Sequence, residues 1–160
     1  MTEAAAAPAA AVLGNIDVDD LERAMSFYCA ALGLTVGRML GKGVRELLGG
    51  STPIYLLQKS AGTLATPASS QRRDYVRHWT PVHLDFVVPN IEAAVARARA
   101  AGASIEGAVQ THPCGRIALM ADPFGHGFCL IEFLGRGYDE IASGLTKLAP
   151  GCSSCSRPVP

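Results

Sequence analysis

His83-Leu84-Asp85-Phe86-Val87-Val88-Pro89-Asn90-Ile91-Glu92-Ala93-Ala94-Val95 carries an alternating run straight into a capped helical pattern. The same order occurs earlier in the chain, where Leu13-Gly14-Asn15-Ile16-Asp17-Val18 leads into Asp20-Leu21-Glu22-Arg23-Ala24-Met25 at matching offsets. Strand followed by helix, twice, marks a duplicated module. The copies differ at their first position, Leu13 against His83, and that difference bears on chemistry.

In the first copy Val12, Ile16 and Val18 share one strand face and Leu13, Asn15 and Asp17 the other. Asp19 or Asp20 is placed to cap the helix, with Glu22 in capping-box position relative to Asp19. Leu21, Ala24, Met25, Tyr28, Ala31 and Leu32 form its apolar stripe, which Gly33 closes. Gly41, Gly43, Gly49 and Gly50 then separate strands near 35–40, 43–48 and 53–59. The second copy predicts a strand over 82–88 and a helix over 90–101 ending at Gly102. Strands near 104–109, 115–121 and 127–133 follow, with Asp122-Pro123-Phe124-Gly125 as a turn between the last two.

Two βαβββ modules give an α+β fold whose helices pack on one face of curved sheets, leaving the opposite faces to meet around a shared cleft. The domain is expected over 12–135, built from modules 12–60 and 81–135. The polar stretch 61–80 reads as a mobile surface linker. Ile141, Leu145 and Leu148 at helical spacing predict a C-terminal helix over 136–148, followed by a loose tail over 149–160.

With 160 residues and 49% hydrophobic content the chain buries a core of its own. A formal net charge of zero gives no long-range attraction for nucleic acid or anionic membrane, and Arg72, Arg73 and Arg77 read as a solvated loop. The alanine-rich start lacks Lys or Arg and is broken by Pro8, so it does not resemble a signal peptide. No later stretch reaches the length of about 18 apolar residues that a spanning helix needs. A cytoplasmic protein is expected, and five cysteines without framework spacing fit reduced thiols.

DVDDLERAMSFYCAALGL (17–34), HLDFVVPNIEAAVARARAAGA (83–103) and DPFGHGFCLIEF (122–133) together resemble the vicinal oxygen chelate superfamily, which holds glyoxalase I, bleomycin-resistance proteins and extradiol dioxygenases. The resemblance spans roughly residues 12–135 in order and spacing. It implies paired βαβββ modules, a cleft lined by the first and last strands of each, and homodimers that pair modules between chains. In metal-using members a divalent ion in the cleft chelates adjacent substrate oxygens. The superfamily also includes binders without catalysis, so membership alone names no reaction.

Carried over position by position, the four metal slots of the resemblance fall on Leu13, Tyr55, His83 and Cys129. Leucine binds no ion and tyrosine is a poor ligand at neutral pH. His83 and Cys129 are then the only candidate donors, short of the three that a catalytic zinc takes. Glu132 lies three residues beyond Cys129, and strand alternation turns it to the other face. No resident metal cofactor is expected on this count, although His83 and Cys129 would suit a soft ion, with His112 or Cys114 as further ligands.

The residues expected to line the cleft are therefore His83, Asp85, Asn15, Tyr55, Arg116, Cys114 and Cys129. Asp85 shares a face with His83, and Asn15 occupies the equivalent point of the first module. Cys114, close to His112, reads either as a thiol activated by the imidazole or as a small filler. Trp79 and Tyr75 offer an aromatic wall for a flat ligand or ordinary packing at the linker edge. Arg45 and Arg116 suit an anionic group, His126 reads as a turn residue, and Cys152 and Cys155 as tail. The favoured function is binding of a small organic molecule without a full metal site. The alternative is an enzyme acting on a carbonyl or vicinal-oxygen substrate with a metal at His83.

Overall fold

The computed structural model describes residues 9–143. The first module runs β1 (Gly14–Val18), α1 (Leu21–Leu32), β2 (Thr35–Met39), β3 (Val44–Leu48) and β4 (Ile54–Gln58). The second runs β5 (Leu84–Val87), α2 (Ile91–Ala100), β6 (Ser104–Ile105), β7 (Gln110–His112), β8 (Gly115–Ala121) and β9 (Gly127–Phe133).

Both helices begin at side-chain caps. The Asp20 carboxylate accepts from the Arg23 amide at 2.9 Å, and the Asn90 side chain accepts from the Ala93 amide at 2.8 Å. Because Asp20 and not Asp19 is the cap, Glu22 does not stand in capping-box position. Gly33, at φ 69°, ends α1 in the left-handed region that glycine enters without steric cost.

The first sheet has the order β1-β4-β3-β2, with β1 and β4 parallel and the other pairs antiparallel. The second has the order β5-β9-β8-β6, with β5 and β9 parallel and β7 also on β8. The strand expected over 104–109 is thus cut short at Ile105, and a further short strand follows it over 110–112. Gly107, at φ 104°, turns the chain between two short strands that each pair with β8.

Helix α1 packs on β2, β3 and β4, helix α2 on β6, β8 and β9, and the helices pack on each other. Phe27 of α1 also meets the ring of Phe128 in the other module, with centroids 6.4 Å apart. One core therefore takes Val18, Leu47 and Leu56 from the first module together with Met120, Phe124 and Leu130 from the second. The helices form a layer between the two sheets. The helix-free faces lie on the sides of the sheets away from that layer, so among the described residues they do not enclose the shared cleft expected between them. The cause is the pair of apolar helix stripes, which bury each other as well as their own sheets. On the helix-free faces Leu48, Val87, Leu119 and Phe133 are all more than a third exposed.

Residues 61–80 cross the surface and are bonded to both modules. Arg73 Nε pairs with Asp17 Oδ2 at 2.6 Å and the same guanidinium reaches the Leu64 and Ala65 carbonyls. The Tyr75 hydroxyl donates to the Lys59 carbonyl at 2.6 Å, and Arg77 pairs with Glu106. Gly125, at φ 82°, comes so close to Val76 that any Cβ there would strike the Val76 carbonyl. The described part of the segment expected as a C-terminal helix is a single 3-10 turn, Gly137–Glu140. Residues beyond 143, with the expected tail and Cys152 and Cys155, lie outside the described residues.

A buried carboxylate joins the modules. Asp122 Oδ2 accepts from the Tyr28 hydroxyl at 2.5 Å, and Oδ1 accepts from the amides of Phe124 and His126 at 2.8 and 2.9 Å. Burial first, then the Asp122 charge and hydrogen bond, push the Tyr28 phenol well above its ordinary value. Tyr28→Phe removes one hydrogen bond to a charged group while keeping the ring. It should lower stability by about 1.5–3 kcal/mol, read as a lower urea midpoint at unchanged slope.

Candidate functional site

β1 and β5 are the edge strands of their sheets, and no ladder joins them among the described residues. Between these edges lies a groove of about 480 Å³. Its walls include Leu13, Ile16, Phe86 and Phe128, with the polar groups of Asn15, His83 and Asp85 set among them. A mainly apolar hollow with a few polar groups is the usual form of a small-molecule site.

At the β5 edge, period-two alternation places His83 and Asp85 on one face, and the parallel register sets Asp85 opposite Cys129. His83 Nε2 lies 3.1 Å from Asp85 Oδ1. One ligand atom from each of His83, Asp85 and Cys129 falls within 4.8 Å of the others. Cys129 is buried, and the other two are open to solvent.

Burial, followed by the hydrogen bond to Asp85 and its charge, pushes the Cys129 thiol up to about 12. Asp85 is therefore the hub. It takes the thiol proton on one side and faces the imidazole on the other, so His83 does not stand as a base between thiol and carboxylate. The geometry makes Cys129 a hydrogen-bond donor and not a nucleophile. As a donor set, imidazole, carboxylate and thiol fit zinc, whereas one carboxylate oxygen in this company does not suit calcium or magnesium.

The other residues singled out in the sequence are placed elsewhere. Tyr55 lies on the helix-free face of the first sheet, opposite Glu46 in register. Its hydroxyl donates to Glu46 Oε1 at 3.0 Å, and Arg38 pairs with the same carboxylate at 2.5 Å. The side-chain and backbone hydrogen bonds from Arg38 hold the Glu46 carboxyl down to about 2. Arg116 is turned toward α2, paired with Glu92 and 3.5 Å from Glu132. Glu132 also accepts from the Ile91 amide at 3.1 Å, so it faces α2 and stands apart from Cys129.

Cys114 is half-buried between β7 and β8, and His112 is exposed at the end of β7. Arg45 is occupied by the carbonyls of Gly41 and Val44. Tyr75 packs edge-on against Phe124 and His126. Trp79, 79% exposed, borders a smaller hollow of about 200 Å³ with Thr80, His83, Leu119 and Cys129.

The structure adds a group that the sequence reading left in a turn. His126 reaches the groove wall, and its Nε2 is 2.7 Å from the Asp17 carbonyl of β1. Its Nδ1 is 3.3 Å from His78 Nε2 in the linker. The two partners lie in two segments remote from the His126 turn, so no local spacing could have announced them. The one available signal was a second histidine in the linker.

The raised Cys129 thiol has a testable consequence. The folded value stands above the ordinary thiol value of 9.0, so above that pH the unfolded chain loses the proton first and stability falls as pH climbs. Iodoacetamide at pH 8.5 should alkylate Cys129 more than about tenfold slower in the folded chain than in urea. Asp85→Asn, which removes the charge, should narrow that gap in peptide mapping.

Comparison with known proteins agrees with the geometry. Residues 15–131 match the model of a glyoxalase-like domain. The anthracycline biosynthesis protein DnrV of Streptomyces peucetius is 34% identical over 128 residues, which is 79% of this chain and 42% of that protein. The chain thus spans less than half the length of that relative. A glyoxalase/bleomycin resistance/dioxygenase family enzyme from Burkholderia phytofirmans PsJN superposes with a TM-score of 0.60 at 22% identity. That match covers 76% of this chain and 97% of the other. The fosfomycin resistance protein FosX of Listeria monocytogenes superposes with a TM-score of 0.61 at 16% identity, covering 80% and 96%. At these identities the two structures speak for the fold alone. Two βαβββ modules around a helix pair, and a family match over most of their length, place the chain in the glyoxalase-like family of the vicinal oxygen chelate superfamily.

Proposed function

We propose that the chain binds a small, flat and largely apolar organic molecule in the groove between β1 and β5, oriented by Asn15, His83 and Asp85. The observation that carries this reading is the joining of one mainly apolar hollow of about 480 Å³ to one internally bonded polar cluster. Apolar walls would supply burial, and the Asp85 carboxylate and His83 imidazole would fix the orientation of a hydroxyl or carbonyl edge. The names of the relatives make a polycyclic anthracycline-type molecule the ligand class to try first.

A second copy of the chain is proposed to cover the helix-free faces. Those faces expose Leu48, Val87, Leu119 and Phe133, and they carry charged or polar clusters around Glu46 on one sheet and Asp85 on the other. Val87→Glu should shift a dimer to monomer in light scattering after gel filtration.

A second reading rests on the three donors within 4.8 Å of one another. There His83, Asp85 and Cys129 would hold a zinc ion, which supplies Lewis acidity toward adjacent substrate oxygens when bound. Loading must displace the thiol proton, so under this reading zinc uptake should rise steeply with pH.

One set of measurements separates the two. Titration with an anthracycline, followed by ligand fluorescence, should give saturable one-to-one binding that weakens about tenfold or more in His83→Ala and Asp85→Ala. Chelator treatment should leave wild-type binding unchanged. Stoichiometric zinc in protein purified without chelator, with binding lost on its removal, would transfer the case to the metal reading.

A further inference from the structure

His78 and His126 face each other with His78 Nε2 and His126 Nδ1 3.3 Å apart, and the remaining nitrogen of each ring is already committed. His126 Nε2 lies 2.7 Å from the Asp17 carbonyl, and His78 Nδ1 lies 3.0 Å from the Val76 carbonyl. A carbonyl oxygen only accepts, so both of those nitrogens carry hydrogen. Turning either ring over would forfeit its carbonyl bond.

The count of protons follows. With both rings neutral, the two facing nitrogens are bare lone pairs and no hydrogen bond joins them. With both rings charged, two N–H groups point at each other. One extra proton, shared by the pair, gives an N–H···N bond and satisfies all four nitrogens.

We propose that this histidine pair is a one-proton clasp that fastens the linker to the β8–β9 turn and so regulates the groove. Histidine is the side chain that ordinarily changes charge near neutral pH, so pH is the variable that tests the clasp. It forms as one proton is taken up, opens as pH rises and that proton leaves, and opens again when a second proton arrives at lower pH.

The charged and titratable groups around the pair are themselves already bonded. On β1 the Asp17 carboxylate is bound to Arg73, and in the turn Asp122 accepts from the His126 amide. Helix α1 contributes Tyr28, whose hydroxyl is spent on Asp122. From the linker Tyr75 sets its ring edge-on to His126. Arg77, the nearby cation, is neutralised by Glu106 and also reaches the Gly125 carbonyl. The clasp bears on the groove because His126 forms part of its wall, and Thr80, Val82 and His83, just beyond His78, form another part. That last link rests on the proposed ligand site, whereas the clasp itself does not.

Hydrogen exchange on the full chain tests it without any ligand. The His78 amide donates to the Gly125 carbonyl at 3.2 Å and reports closure of the linker on the turn. After the intrinsic pH dependence of exchange is divided out, its protection should pass through a maximum and fall about tenfold on the alkaline side. That is the order expected from one charge-assisted hydrogen bond. His78→Ala should lack the maximum at every pH. His78→Gln, whose amide donates without titrating, should keep the linker closed on the alkaline side. Flat protection in the wild type, or the same maximum in His78→Ala, would overturn the proposal. So would protection that collapses with chelator at constant pH, since a metal ion and not a proton would then bridge the rings. Failure of anthracycline binding with the exchange maximum intact would refute the ligand reading and leave the clasp standing.

Discussion

The Asp122 carboxylate is the constraint on which the rest of this structure depends. It is 6% exposed and would be costly to bury alone, yet three donors from two modules satisfy it: the Tyr28 hydroxyl and the Phe124 and His126 amides. Two of these bonds shape the turn between β8 and β9, and the third fixes that turn to α1. The chain of consequence runs on from the turn. It sets the position of the His126 ring, which holds the Asp17 carbonyl of β1 from the side. The relation of the second module to the β1 edge thus runs through this carboxylate as well as through the shared core.

The duplicated modules solve the same problem with different chemistry. Each has a polar cluster at the pairing of its first strand with its last, Asn15 opposite Tyr55 in one and Asp85 opposite Cys129 in the other. In the first, Tyr55 and Arg38 are both spent on Glu46, and Gly37 leaves the room that carboxylate needs, since a Cβ there would lie 2.7 Å from Glu46 Oε2. An ion pair with a further donor already occupies this cluster. In the second, the cluster has no arginine, and Asp85 is shared between a thiol and an imidazole that solvent reaches. The second leaves Asp85 and His83 open to an arriving molecule, whereas in the first Asn15 is the polar group that reaches the groove.

How much of this could be read beforehand follows from which interactions are local. Period-two and helical alternation are local, so both helices, most strand positions and the orientation of Glu132 away from Cys129 were legible. The Asp85 and His83 pairing was legible too, since both lie on one strand face. Arg116 was not, because its partner Glu92 sits on α2 and only the packing of that helix shows that β8 turns the guanidinium toward it. The strand near 104–109 read as continuous because a glycine does not declare its φ, and Gly107 uses the left-handed region to break it. Least legible was the meeting of the helices. Each stripe could have been covered by its own sheet alone, whereas in the fold the two helices also pack on each other and Phe27 and Tyr28 of α1 reach Phe128 and Asp122 of the second module.

That choice bears on what kind of occupant the site favours. Asp85 already holds two partners, and any newcomer must be compatible with them. A metal ion must expel the Cys129 proton, which a thiol pushed up to about 12 gives up at a cost that grows as pH falls. A neutral organic molecule asks for no proton to move. It can lie against Leu13, Ile16 and Phe86 while the carboxylate keeps its thiol donor and the imidazole turns its free edge to the ligand. Under the proposed reading the cluster therefore receives a hydrogen-bonding edge at neutral pH more readily than a cation.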